Sequence, residues 1–396
     1  MLAGGEHVRA VSVPPTFVDG VPSLPKHTMR QTLLKIHRWG GLAAGLAIFV
    51  IAISGCALVF EDDIDRLLNP DLTVVAPGPS TVSLQAVVEA VRSAYPSEVL
   101  TGIVLPKEPH HALVINLQSG QSVSFDQYAG RLLGARERLG GFARLLRRLH
   151  KTLLAGSTGQ KIVGCLALLT LLMAVSGVIL WWPRRILALR SSPSWRRVNF
   201  DLHNVLGLYS AAFLVVMCVS GVMITFADVV DPLVLRLDEA STREAVSPAP
   251  NVPDGGALIG PDEAVKLGRA ALPGAFIRRV GLPRPGTASY LLGVGFPEDR
   301  TPGGRSRVTL DQYNGQVLEV QDARTAPLGR KILDLKRSIH TGDVFGAPSR
   351  ALAFVVSLML AGQVVTGLLV WWRPGKLGAA ARIRAHGEVR GRDAEP

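Results

Sequence analysis

The chain has 396 residues, 48% of them hydrophobic and 19% charged, with a mean hydropathy of +0.28, which is too apolar for an ordinary soluble protein of this length. The net charge of +12 lies largely in short stretches flanking apolar runs, the pattern of loops kept on one side of a membrane, so no nucleic-acid partner is expected. Three cysteines, Cys56, Cys165 and Cys218, each stand alone in an apolar run without CxxC or CxxCH, which argues against a disulfide framework and against covalent c-type haem attachment.

In chain order, residues 1–30 are rich in Pro, Gly and charge and read as a flexible tail. Gly40–Phe60 is the first of four uncharged segments; the others are Ile162–Trp182, Val205–Phe226 and Ala351–Trp372. Each has 21 or 22 residues, enough to cross about 30 Å of hydrocarbon as a helix. Between the first two spans, Ser83 caps a predicted helix over Leu84–Tyr95, stopped by Pro96. Strand-like runs follow at Val99–Leu105, Ala112–Leu117 and Gln121–Phe125, and then the turn Asp126-Gln-Tyr-Ala-Gly130. The segment between spans three and four repeats the plan. A helix is expected from Pro261 to Ala271, strands near Ile277–Leu282, Ser289–Val294 and Ser306–Leu310, and a second turn at Asp311-Gln-Tyr-Asn-Gly315. Gly130 and Gly315 are placed to take positive φ. The connection between spans two and three carries Arg184, Arg185, Arg190, Arg196 and Arg197 and no acid, which places it, and both termini, in the cytoplasm.

The repetition is numerical. His37, Ser54-Gly55 and Phe60 recur 166 residues later as His203, Ser220-Gly221 and Phe226. His150, Ser176-Gly177 and Trp181-Trp182 recur 190 residues later as His340, Thr366-Gly367 and Trp371-Trp372. The two halves therefore read as parallel repeats about an axis along the membrane normal. His37 and His203 sit where spans one and three begin. They are either headgroup-level histidines or two imidazoles facing across a bundle, able to fill both axial positions of a haem iron. Gly40, Gly41, Gly45 and Gly207 nearby leave room for a macrocycle or serve close helix packing. His150 and His340 lie on amphipathic stretches before spans two and four and are candidates for an outer pair. His110-His111 reads as a surface pair, His7, His27 and His386 as tail residues, and the Trp pairs as interfacial anchors.

These residues resemble the PepSY-associated transmembrane family of bacterial inner-membrane proteins. The resemblance rests on H-R-W-x-G at span one, L-H-x-x-L before span two, L-H-N-x-x-G at span three, I-H-x-G before span four, the W-W ends and the paired D-Q-Y-x-G turns, and covers roughly 30–373. It implies a membrane protein with four transmembrane α-helices in two parallel repeats and two small periplasmic α+β, PepSY-like domains. On that division 1–30 is a cytoplasmic tail, 31–60 the first span and 61–140 the first periplasmic domain. Residues 141–182 form an amphipathic segment with the second span, 183–200 the basic cytoplasmic loop and 201–226 the third span. The second periplasmic domain is 227–328, 329–373 an amphipathic segment with the fourth span, and 374–396 a cytoplasmic tail. The resemblance also implies two b-type haems on His37, His203, His150 and His340, and transfer of electrons outward to a ferric siderophore in the periplasm, releasing Fe(II).

No GxGxxG fingerprint or nucleotide-binding domain is visible in the chain, so a quinol or a separate cytoplasmic reductase is the expected electron donor. Two other readings stay open: a non-enzymatic regulator of a periplasmic peptidase, and a component of iron or haem transport. A metalloprotease is disfavoured, since no HExxH occurs.

Overall fold

The computed structural model describes residues 26–137, 142–182, 194–237, 258–284, 289–301 and 303–372. The expected C-terminal tail, most of the N-terminal one with His7, and the loop arginines Arg184, Arg185 and Arg190 lie outside the described residues, as does His386. From the N-terminus, the first half runs α1 (Lys26–Leu58), α2 (Glu61–Leu68), α3 (Pro70–Thr73), α4 (Leu84–Ala94), β1 (Leu100–Val104), β2 (Leu113–Leu117), β3 (Gln121–Asp126), β4 (Arg131–Glu137), α5 (Phe142–Thr152) and α6 (Gly156–Trp181). The second runs α7 (Trp195–Thr225), α8 (Ala227–Leu237), α9 (Pro261–Ala271), β5 (Phe276–Gly281), β6 (Ser289–Gly295), β7 (Ser306–Asp311), β8 (Val317–Gln321), α10 (Leu328–Thr341), a 3-10 turn at Asp343–Phe345 and α11 (Ala347–Trp372).

Four of these helices, α1, α6, α7 and α11, are long and apolar enough to cross a membrane, so the chain is a multi-pass membrane protein. Both α1 and α7 begin earlier than the apolar runs. Their first turns carry Arg30, Lys35 and Arg38, and Arg196 and Arg197, whose long stems let a helix continue past the hydrocarbon edge. Trp195–Phe200, expected in the basic loop, are therefore helical. α1 packs against α6 and α11, and α7 against the same two, so α1 and α7 stand diagonally across the bundle. α5 lies on α1 and α6, and α10 on α7 and α8. Ion pairs tie these short helices to those that succeed the first and third spans: Arg147 of α5 to Glu61 of α2, and Lys336 of α10 to Asp231 of α8 at 2.5 Å.

Outside the bundle there is one sheet rather than two domains. Its eight antiparallel strands run β4-β3-β2-β1-β5-β6-β7-β8. β1 joins β5 with Ile103 opposite Val280. Left separate, each four-stranded sheet would expose one of these strands as a bare edge; pairing them satisfies both rows of backbone groups. One face of the sheet buries Ile103, Ile115, Val123, Val280, Leu292 and Val308 against Val87 and Val91 of α4 and Ala264 of α9, in a single core. Ser83 caps α4 as expected, accepting from the Ala86 amide at 3.1 Å. The Asp262 carboxylate of α9 accepts from the Leu84 and Gln85 amides at 2.9 and 2.8 Å, so α9 caps α4 across the junction.

Each segment has four strands where three were expected. The added strands, β4 and β8, follow the D-Q-Y-x-G turns. In each turn the aspartate Oδ1 accepts two backbone amides, Tyr128 and Ala129 at 3.0 Å, and Tyr313 and Asn314 at 2.8 and 3.2 Å. Gly130 and Gly315 close them at φ +67° and +71°. These are hairpin turns, and the chain leaves each one in register for another strand.

Candidate cofactor site

The four histidines occupy two levels of the bundle, each with its imidazole against a neighbouring helix. At the end away from the sheet, His37 of α1 meets α6, where its Nδ1 lies 2.9 Å from Ser176 Oγ. His203 of α7 meets α11, its Nδ1 3.0 Å from Thr366 Oγ1. At the sheet end, His150 of α5 meets α1, with Nδ1 2.9 Å from the Ile51 carbonyl and 3.5 Å from Ser54 Oγ. His340 of α10 meets α7, with Nδ1 3.0 Å from the Met217 carbonyl and 3.2 Å from Ser220 Oγ.

These partners determine which ring nitrogen carries the proton. A carbonyl only accepts, so Nδ1 of His150 and of His340 donates. Ser176 and Thr366 spend their own hydroxyl protons on helix carbonyls, Ser176 on Met173 at 3.1 Å and Thr366 on Gly362 at 2.8 Å. They therefore accept from His37 and His203. All four rings are Nδ1–H tautomers whose Nε2 keeps its lone pair, the form in which imidazole binds a metal. Around His150, burial and the neighbouring His340 push the pKa down to about 4; burial also lowers His340. Both rings outside the spans are thus neutral near pH 7.

A glycine follows each hydroxyl and makes room for the ring. A Cβ added at Gly55, Gly177, Gly221 or Gly367 would stand 3.0, 3.4, 3.1 or 3.2 Å from Cε1 of His150, His37, His340 or His203, respectively. In the sheet-side pair the glycine lies four residues after the accepting carbonyl, Ile51 to Gly55 and Met217 to Gly221. The missing side chain thereby opens a helix carbonyl to a second donor. The sequence showed these Ser/Thr-Gly pairs only as landmarks of the repeat; their role as brackets for the histidines emerges from the fold.

The histidines come in twos. The His150 and His340 ring centres are 6.1 Å apart, with planes inclined at 52°. Metal–imidazole bonds of about 2 Å, with each ring centre a further ~1.2 Å behind its nitrogen, put the centres of two opposed ligands roughly 6 Å apart. The observed spacing fits one metal between two axial imidazoles. His37 lies within electrostatic reach of His203. Among the described residues no three His, Cys, Asp or Glu side chains gather to chelate a bare ion. Paired imidazoles instead suit a metal whose other ligands arrive with it, as in a macrocycle. From His37 to Ile51 along α1, and from His203 to Met217 along α7, there are 14 residues, which separates the two levels by about 21 Å.

The surroundings of the far-side pair are unequal. Asn199, buried one turn before His203, donates to the Thr366 carbonyl at 3.0 Å, and Gln363 donates to Ser210 at 2.7 Å. The positions 166 and 190 residues earlier hold Leu33, Met173 and Ala44. His110 and His111 meet edge-to-face in the β1–β2 loop, ring centres 4.3 Å apart. Trp182 and Trp372 are exposed at the far ends of α6 and α11, where interfacial anchors belong.

A family model described as the PepSY-associated TM region matches residues 34–373. A search of curated proteins finds no match.

Proposed function

Starting from the membership of this chain in the PepSY-associated TM family, we propose that it is a b-type haem protein of the bacterial inner membrane that carries electrons outward to a ferric chelate. The two halves act as parallel repeats, with the sheet in the periplasm and both termini in the cytoplasm. His37 with His203 holds one haem near the cytoplasmic face, and His150 with His340 a second near the periplasmic face. Bound haem supplies one-electron chemistry at a potential set by its axial ligands and their surroundings. The chain's own residues do the rest. Ser176, Thr366 and the Ile51 and Met217 carbonyls hold the Nδ1 protons and so aim each Nε2 lone pair. The apolar faces of α1, α6, α7 and α11 exclude water between the two levels. Reduction releases iron because hard oxygen ligands hold Fe(III) far better than Fe(II). A quinol or a separate cytoplasmic reductase supplies the electrons.

One observation carries the proposal: four Nδ1–H imidazoles, each bracketed by a hydroxyl and a glycine, stand in two levels of a membrane bundle. A regulator of a periplasmic peptidase has no use for that arrangement, and the uncharged spans offer no path for an iron ion. The test is to reduce the purified protein anaerobically, add a ferric siderophore, and follow the haem bands with an Fe(II)-specific trap present. Reoxidation with one trapped Fe(II) per haem oxidised supports the reading. Reduced bands unchanged by the chelate sink it.

A further inference from the structure

The exposed sheet face of the second half sets two arginines on either side of a glycine. In the register of β5, β6 and β7, Arg279 stands opposite Gly293, and Gly293 opposite Arg307. Directly opposed residues point to the same face, so both arginines rise beside a residue with no side chain. The Arg279 side chain lies across that gap, its Cβ 3.3 Å from where a Gly293 Cβ would be. Two residues along β6, on the same face, Gly295 is covered by the Phe276 ring, and the Arg278 guanidinium sits over that ring at 4.2 Å. Arg305 follows Gly304, whose Cα lies 3.3 Å from where a Gly295 Cβ would be.

These cations are underused. Arg278 donates to the Pro106 carbonyl at 3.4 Å and Arg305 reaches Asp299 at 3.5 Å, but each keeps a buried Nε with no hydrogen-bond partner. Arg279 and Arg307 are exposed and enter no ion pair among the described residues. Asp334 of α10 is in electrostatic reach of Arg305 and Arg307, and Glu319 of β8 shares the face, opposite Thr309 and diagonal to Arg307. Four guanidinium groups thus face three carboxylates, Asp299, Asp334 and Glu319. The equivalent face of the first half is different: Asn116 and the buried Ser122 and Ser124 occupy it, with no arginine between them. The arginine opposite Ser122 in β4, Arg136, is held by both oxygens of Asp65 at 2.7 and 2.6 Å, so the exposed, unpaired arginines of this face belong to the second half. Their cluster also sits beside the outer histidines, because Asp334 and His340 share α10, six residues or about 9 Å apart along the helix.

We propose that this arginine cluster is the docking site for the chelate, and that it selects a ferric chelate bearing net negative charge through its carboxylates over a neutral one. Arg279 and Arg307 grip the carboxylates from either side of Gly293, and Arg278 and Arg305 supply the donors behind them. The inference rests on the reading of the chain as a ferric-chelate reductase, and refines its substrate class.

The test is equilibrium dialysis of the full-length protein, in uncharged detergent, against radio-iron ferric citrate and against a neutral ferric tris-hydroxamate. Ferric citrate should bind more tightly. Arg279→Gln and Arg307→Gln should each weaken it by about tenfold, leave the neutral chelate unaffected, and recover in part as Arg279→Lys and Arg307→Lys. Equal binding of the two chelates overturns the proposal, as does ferric citrate binding unchanged in the Gln variants. So does a loss confined to binding of phosphatidylglycerol vesicles, which would assign the arginine cluster to lipid headgroups. The haem content of the same samples separates the two ideas: protein without haem that still prefers ferric citrate retires the reductase reading and leaves the charge preference standing.

Discussion

Each histidine depends on two small residues of another helix, a hydroxyl that takes or shares its Nδ1 proton and a glycine beneath its ring. The two levels differ in what holds that proton. Ser176 is the hydrogen-bond partner of His37, whereas His150 also has the Ile51 carbonyl. Ser176→Ala should therefore weaken haem retention at the inner level by roughly ten- to hundredfold, while Ser54→Ala leaves the outer level intact; competition with a haem scavenger measures both. Gly55→Leu should drive a side chain into His150 and remove one haem per chain with helicity retained in circular dichroism. A variant that keeps both haems would show that the His150 ring does not depend on this gap. The histidines themselves were legible because their offsets match. The brackets were not, since each hydroxyl lies between 96 and 163 residues from the ring it serves, and no local pattern marks such a partner.

The elements that present the outer pair, α5 and α10, are short amphipathic helices tied down by Arg147–Glu61 and Lys336–Asp231. Their footing is the joined sheet, whose junction includes the cap that Asp262 places on α4. Asp262→Ala should destabilise the sheet unit by up to about 1 kcal/mol, read as a lower melting temperature of the β signal; an unchanged melt would mean that the shared core alone holds the halves together. The spans, α4, α9 and the D-Q-Y-x-G turns were legible because charge, capping and turn residues act locally. β4 and β8 were not: as edge strands exposed on one side they carry a weak alternation. The β1–β5 pairing was not either, because it joins residues about 180 positions apart and either strand reads equally well as the edge of its own sheet.

At the scale of the whole molecule, two levels about 21 Å apart divide a membrane crossing between four spans, with the sheet over one end. The arrangement has a direction only if the sheet faces the periplasm. A cysteine introduced at Gln118, in the exposed β2–β3 turn, should react in intact spheroplasts with a membrane-impermeant maleimide, and one introduced at Lys35 should react only after lysis; the reverse pattern would invert the proposed electron path. The arginine cluster of the second half then lies on the periplasmic side, where a chelate arrives. The most direct test of the central claim is the haem-to-protein ratio, by pyridine haemochrome, of the purified wild-type protein and of His37→Ala and His150→Ala. The account predicts two haems in the wild type and one in each variant, with different residual spectra. A wild type without haem, or variants that keep both, would contradict it.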